Sequence, residues 1–221
     1  MQKAVVIVAG GAGLRMGAEL PKQFLSLGGL PILFRTLQRF FEYSEQLQLI
    51  VVAPSNHFET IQNLKKEFQF NIPFRLTEGG ATRFLSVKNG LALVEAHLVG
   101  IHDAVRPLVS NKTIDTAFKI AGEKGNAIPA VPVVDSLREV KENSNSAVNR
   151  GTFKIIQTPQ VFKTELIKKA FATAKGNNFS DDATVLESYG HSINLTEGNR
   201  ENIKITTPAD LKIAEALFSE L

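Results

Sequence analysis

Cysteine is absent from this chain of 221 residues. Disulfides, thiolate nucleophiles and Cys-ligated metals are therefore excluded, and a reducing cytoplasm is the expected setting. No apolar run approaches the roughly 20 residues that a membrane-spanning helix needs. Lys3 followed by Ala4–Ala9 mimics the start of a signal peptide, but the run is too short and breaks into glycine. There is no long Lys/Arg tract, and a net charge of +3 is too weak to point to nucleic acid, although it suits anionic small molecules. Internal repeats, low-complexity tracts and an interdomain linker are also missing, as are a Ser/His/Asp pattern and a metalloprotease motif. What remains is an ordinary globular composition, 43% hydrophobic and 21% charged, long enough for one domain with a sizeable core.

Helical and extended patterns alternate along the chain. Ala4–Ala9 reads as a strand buried on both faces. Pro31 takes a plausible N1 position for a helix over Pro31–Phe41, with apolar residues at 33, 34, 37, 40 and 41. Leu47–Ala53 reads as a second strand, and Ser55 as the N-cap of a helix reaching about Phe68. A short strand at Phe74–Leu76 ends at Gly79-Gly80, before a helix over Ala81–Ala96. Leu98–His102 is another strand, and a helix follows near Lys112–Glu123. Ala127–Val134 carries two prolines, which argue for an edge or irregular strand. Asp135–Ile156 reads as a hairpin, with extended flanks Leu137–Val140 and Phe153–Ile156 around the polar Lys141–Ser146. Helices near 164–175 and 181–189, strands near Ile193–Leu195 and Ile203–Ile205, and a last helix from Pro208 complete the chain.

This alternation predicts an α/β fold: a Rossmann-like three-layer sandwich with a mostly parallel central sheet. A single domain spans 1–221, and residues 135–156 form a protruding β-hairpin arm. Ligands of such sheets sit beyond the carboxyl ends of the strands, where the first glycine loop, Gly79-Gly80 and Asp103-Ala104 all fall.

The first strand ends in Gly10, Gly11 and Gly13, followed by Arg15, Gly17 and Lys22. Glycines directly after a buried strand let backbone N–H groups approach an anion. Two cations close behind suggest a polyphosphate. Gly11-Ala-Gly13 opens a dinucleotide fingerprint, but Gly17 comes one residue too late for G-x-G-x-x-G. A Walker A loop fails too, because Ala18 rather than Lys follows Gly17. On these residues alone, a phosphate loop of a third kind and a merely tight strand exit both stay open.

Ala9-Gly-Gly-Ala-Gly-Leu-Arg-Met-Gly17 followed by Pro21-Lys-Gln-Phe24 resembles the signature of sugar-phosphate nucleotidylyltransferases. The match is closest to the 2-C-methyl-D-erythritol 4-phosphate cytidylyltransferase family of the non-mevalonate isoprenoid pathway. The resemblance recurs at Gly79-Gly-Ala-Thr-Arg-Phe-Leu-Ser-Val87, His102-Asp-Ala-Val-Arg-Pro107, Gln157-Thr-Pro-Gln160, Ser180-Asp-Asp-Ala183 and Asn202-Ile-Lys-Ile-Thr206, and so covers essentially the whole chain.

The resemblance implies attack by a polyol phosphate oxygen on the α-phosphorus of CTP, with release of pyrophosphate. It assigns Arg15, Lys22, Arg150 and Lys204 to catalysis. Ala9, Gly10, Gly11, Ala12 and Gly13 would meet the nucleotide, with Gly79, Gly80, Arg83 and Ser86 around the base. Asp103 and Ala104 complete that set, Asp103 also holding Mg²⁺ or another divalent cation. Arg106, Ser136, Arg150, Thr158, Ser180 and Lys204 fall on the polyol phosphate side, Arg106 pairing with a carboxylate near the site. His102 is read as a packed strand-end histidine without chemistry. Ser136 stands where the family usually has Thr, and Ser180-Asp-Asp-Ala183 departs from Thr-Asp-Glu-Ala; Ser180 is also the expected N-cap of its helix. The arm would embrace a second copy in a homodimer. Two rivals are a cytidylyltransferase for ribitol 5-phosphate or another polyol phosphate, and a nucleotide-binding module without catalysis. The Ser180 motif and the Arg150-to-Thr158 spacing disfavour the first; retention of Arg15, Lys22, Asp103 and Lys204 together disfavours the second.

Overall fold

The computed structural model describes residues 1–10 and 21–219. The elements run β1 (Lys3–Val8), β2 (Ser26–Leu27), β3 (Leu30–Pro31), α1 (Ile32–Tyr43), β4 (Gln48–Ala53), α2 (Phe58–Glu67) and β5 (Arg75–Glu78). Next come α3 (Arg83–Ala92), β6 (Leu98–Asp103), α4 (Asn111–Lys124) and β7 (Asn126–Pro132). The hairpin β8 (Leu137–Lys141) and β9 (Ser144–Val148) precedes β10 (Lys154–Ile156) and β11 (Gln160–Lys163). The chain closes with α5 (Thr164–Thr173), α6 (Asp182–Ser188), β12 (Leu195–Glu197) and α7 (Pro208–Phe218).

Alternating apolar residues build the layers. In β1, Val5 and Ile7 pack to one side and Ala4, Val6 and Val8 to the other. Leu49 and Val51 of β4 join the first side, Ile50 and Val52 the second. Phe34, Leu37 and Phe40 of α1, Ile61 of α2 and Phe118 of α4 cover the first side. Phe84 and Leu91 of α3, Phe171 of α5 and Leu186 of α6 cover the second. The result is a three-layer α/β sandwich in which truncating a fully buried phenylalanine such as Phe34 costs about 3–5 kcal/mol. Gly90 lets α3 lie close on the sheet, because a Cβ there would come within 2.5 Å of Val6 Cγ1.

The main sheet has the order β10-β7-β11-β6-β1-β4-β5, with β12 on the other side of β7. It is mostly parallel; β10 and β11 alone run against the rest. The chain leaves β1 for β4 and β5 on one side, then crosses back to β6 on the other. The carboxyl ends of β1 and β6 therefore frame a topological switch point, the place where open α/β sheets bind ligands.

Several local expectations are corrected. Pro31 is the N-cap of α1 rather than its first residue. Ser55 caps nothing: it opens a 3-10 turn, and α2 starts at Phe58. β7 is neither edge nor irregular, since it has neighbours on both sides. Its prolines are tolerated by position. The Pro129 carbonyl accepts from Gln157 N at the interval between β11 and β10, and Pro132 lies beyond the end of β12. The hairpin is shorter than expected: Lys154–Ile156 pairs with β7 in the main sheet, not with Leu137–Lys141. Ile203–Ile205 is not a strand, although its backbone is tied in by Ile205 N to the Val105 carbonyl at 3.0 Å. Asp181, not Ser180, caps α6, in a capping box with Thr184. No described helix is long and apolar enough to cross a membrane.

Candidate active site

Three strand ends supply the backbone of the site. β1 runs out through Ala9, whose N–H reaches the Val52 carbonyl at 2.7 Å. The Ala9 carbonyl accepts from buried Gln23 Nε2 at 3.0 Å, which ties the segment carrying Lys22 to the strand exit. β6 ends at Asp103, and Ala104 N donates to the Val8 carbonyl at 3.1 Å. Beyond β5, Gly79 N donates to the Ala53 carbonyl at 2.9 Å.

Two adjoining cavities open on this rim. One is lined by Val8, Ala9, Gly10, Lys22, Gln23, Arg83, Asp103, Ala104, Val105 and Lys204. The other includes Glu78, Gly79, Gly80, Thr82 and Ser86, and shares Val8, Gly10 and Arg83 with the first. Ser86 Oγ accepts from Gly80 N at 3.0 Å and donates to the Thr82 carbonyl at 2.9 Å, so it fastens the glycine turn onto α3. The packing leaves no space for side chains there: a Cβ on Gly79 would approach Ser86 Oγ to 2.9 Å, and one on Gly80 would approach Leu85 Cβ to 2.3 Å. A larger cavity, about 760 Å³, opens at the opposite end of the sheet beside Met1, Leu98 and Lys163. It gathers none of the expected residues, and the charged rim is the better candidate.

Asp103 is the electrostatic centre. Its Oδ2 lies 3.1 Å from Lys204 Nζ and 3.1 Å from Arg106 Nε. Burial opposes its negative charge, but Lys204, Arg106 and Arg83 outweigh that and hold its pKa well below the usual carboxylate range. Lys204 reaches it because the flanking Ile205 is fully buried and Ile203 packs in the same cluster beside α7, which leaves the lysine facing the rim.

A hydrogen-bonded platform lies beneath. His102 is fully buried, with Nε2 at 3.0 Å from the Arg106 carbonyl and Nδ1 at 3.1 Å from Thr158 Oγ1. Burial lowers its pKa to about 4, so the ring is neutral near pH 7. A carbonyl only accepts, so the proton sits on Nε2 and Nδ1 accepts from the Thr158 hydroxyl. Thr158 Oγ1 in turn accepts from Asp103 N at 3.2 Å. Arg106 donates to the Asn202 carbonyl at 2.8 Å, and Asn202 Nδ2 donates to the Thr158 carbonyl at 2.8 Å. The turn that carries Asp103 is thus clamped from three directions.

The structure brings Ala9, Gly10, Lys22, Arg83, Asp103, Ala104 and Lys204 around one cavity, with Gly79, Gly80 and Ser86 next to it. Arg106 pairs with a carboxylate as expected and belongs to the platform. Thr158 is 5% exposed, and its hydroxyl serves Asp103 and His102, so it supports the site from below rather than lining it. Ser136, Arg150 and Ser180 are exposed and line neither cavity; Arg150 donates to the Val134 carbonyl at the base of the arm. Gly11, Ala12, Gly13 and Arg15 lie outside the described residues. Residue-by-residue reading gave no task to Gln23, Asn202 or Asp182. Each stands in the sequence between a charged and an apolar residue, so no local pattern marks its burial.

Among the described residues, the site offers converging cations, backbone amides and the ionised Asp103 carboxylate, without a nucleophile–base pair. That is equipment for holding phosphates. The profile of the IspD family, 2-C-methyl-D-erythritol 4-phosphate cytidylyltransferase, matches residues 3–220. The chain is 49% identical to the 2-C-methyl-D-erythritol 4-phosphate cytidylyltransferase of Bacteroides thetaiotaomicron over 99% of this chain and 100% of that one. With the enzyme of that name from Porphyromonas gingivalis the identity is 44%, over 99% and 98%. The crystal structure of the Thermus thermophilus enzyme superposes with a TM-score of 0.83 at 34% identity, covering 98% of both chains. This chain therefore belongs to the 2-C-methyl-D-erythritol 4-phosphate cytidylyltransferase family.

Proposed function

We propose that this chain transfers CMP from CTP to 2-C-methyl-D-erythritol 4-phosphate, giving 4-diphosphocytidyl-2-C-methyl-D-erythritol and pyrophosphate. The observation that carries this reading is the convergence of Lys22, Arg83, Asp103 and Lys204 at the switch point of the sheet. A phosphate oxygen of the polyol phosphate attacks the α-phosphorus of CTP, and the bond from that phosphorus to the bridging oxygen of pyrophosphate breaks. The nucleophile is already an anion, so no general base is needed. The barrier comes from bringing two polyanions together, and it is lowered by positioning and charge neutralisation.

Lys22 neutralises charge developing on the α-phosphate, with Arg15 proposed beside it. Lys204 orients the attacking phosphate, its ammonium anchored on Asp103. Gly79, Gly80 and Ser86 form the base side of the site. A divalent cation fits here in one form only. Among the described residues no group of three or more His, Asp or Glu side chains could hold a metal. Asp103, kept ionised by its cations, would supply one oxygen, and the remaining ligands would be phosphate oxygens and water, as Mg²⁺ prefers. Bound there, Mg²⁺ would add charge neutralisation to that of the lysines.

We further propose a homodimer in which Arg150, Ser136 and the arm complete the partner's polyol phosphate site. Val134, Val140, Phe153 and Ile155 are 46–78% exposed around the arm and its base, an apolar surface suited to a second copy. We also propose a reducing, cytoplasmic setting, which suits a chain without cysteine.

The test is pyrophosphate release from CTP with a panel of polyol phosphates. Turnover with methylerythritol phosphate is expected. Turnover with ribitol 5-phosphate and none with methylerythritol phosphate would overturn the choice of acceptor.

A further inference from the structure

Arg83 occupies an unusual place: it is the first residue of α3, and its side chain borders both cavities of the rim. It is held there from far along the chain. Arg83 Nη1 donates to Asp182 Oδ1 at 2.9 Å and Nη2 to Asp182 Oδ2 at 2.6 Å, a two-pronged pair across 99 residues. The two ends differ in exposure. The Asp182 side chain is 1% exposed, whereas that of Arg83 is 31% exposed. A guanidinium has five N–H donors, and Asp182 engages two of its nitrogens from the buried side. The open side faces the junction between the glycine turn and the Lys22–Lys204 cavity.

We propose that Asp182 is a positioning residue for the nucleotide: it fixes the Arg83 guanidinium at the junction of the two cavities, where Arg83 grips the triphosphate of CTP between its base end and its reacting end. The inference rests on the reading of CTP as substrate. A flexible arginine would lose conformational freedom on binding a phosphate, and the buried carboxylate removes that loss in advance. The alternative is a plain staple between α3 and α6. The two differ in what can replace them. Buried ion pairs exchanged for apolar residues of similar volume commonly leave stability intact. A staple is replaceable in that way, and a phosphate grip is not.

The experiment measures CTP binding by calorimetry and steady-state kinetics on full-length Asp182→Asn, Arg83→Lys and the double variant Arg83→Met/Asp182→Leu, with melting temperature as the fold control. Each variant is expected to bind CTP about 10- to 100-fold more weakly, the range of lost charge-assisted hydrogen bonds. The KM for the polyol phosphate and kcat at saturating CTP should move much less. Arg83→Lys keeps a charge against Asp182 and so preserves the fold even if Asp182→Asn does not. Unchanged CTP affinity in Arg83→Lys, or in a folded double variant, would overturn the proposal. A wild-type chain that binds no CTP would instead sink the functional reading on which it rests.

Discussion

At the rim of the sheet, Asp103 Oδ2 lies 3.1 Å from both Lys204 and Arg106, over a platform in which His102, Thr158 and Asn202 are buried. In the β8–β9 hairpin, residues 138–147 are all exposed, and the cross-strand contacts are surface pairs such as Arg138 with Asn145. An isolated two-stranded hairpin is marginal in water. The contrast separates two kinds of proposed site residue. Those of the rim are fixed by folding of their own chain. Those of the arm, Arg150 and Ser136 at its base, have a site to complete only if another surface meets them.

The first way to sharpen this contrast is to remove charge from the rim. Lys22→Ala is expected to lower kcat by about 10²–10³-fold, because its charge acts mainly in the transition state. An unchanged kcat would remove Lys22 from the mechanism.

The platform should respond to pH. The His102 pKa falls from 6.5 in the unfolded chain to about 4 in the folded protein because burial disfavours the cation. The folded state therefore binds fewer protons between those values. His102 stabilises fully above about pH 6.5, and up to about 3 kcal/mol is lost as the pH falls towards 4. Chemical denaturation across that range should show the slope, and His102→Gln should flatten it. The same slope in the variant would place the acid sensitivity elsewhere.

On the arm, Arg150→Ala should raise the KM for the polyol phosphate about 10-fold, a loss of about 1.4 kcal/mol, with CTP binding unchanged. A defect confined to CTP would contradict the division of the site. Smallest of all, Val140→Ser, at a side chain 78% exposed, should shift the unfolding free energy by less than about 0.5 kcal/mol yet weaken self-association in sedimentation. Unaltered association would remove the arm tip from the interface.

The same contrast governs what was legible in the sequence. The apolar runs of β1, β4 and β6 announce buried strands by composition alone. Gly79-Gly80 and Asp103 follow such runs, so their place at the carboxyl ends could be foreseen. β7 was misjudged because Pro129 lacks an N–H, and only the register shows that the gap between β10 and β11 falls opposite it. Nothing in the sequence marks Gln160–Lys163 as a strand: it is four residues long and starts on the last residue of the Gln157–Gln160 motif. The Arg83–Asp182 and His102–Thr158 pairs join residues 99 and 56 positions apart, and local periodicity carries no trace of such contacts. Ser180 and Asp181 are both good caps, and the choice between them depends on Gln160, whose Nε2 donates to Asp181 Oδ2 at 2.8 Å.

The central claim is that one chain supplies the nucleotide side of the site and the arm of a second copy completes the acceptor side. Mixing Lys22→Ala chains with Arg150→Ala chains tests it most directly, with CMP transfer to methylerythritol phosphate as the readout. With the polyol phosphate held below its KM, the mixture is expected to exceed the activity of either variant alone, since one of the two sites in each heterodimer has both intact halves. Heterodimers that form and show no activity above that of the separate variants would contradict it.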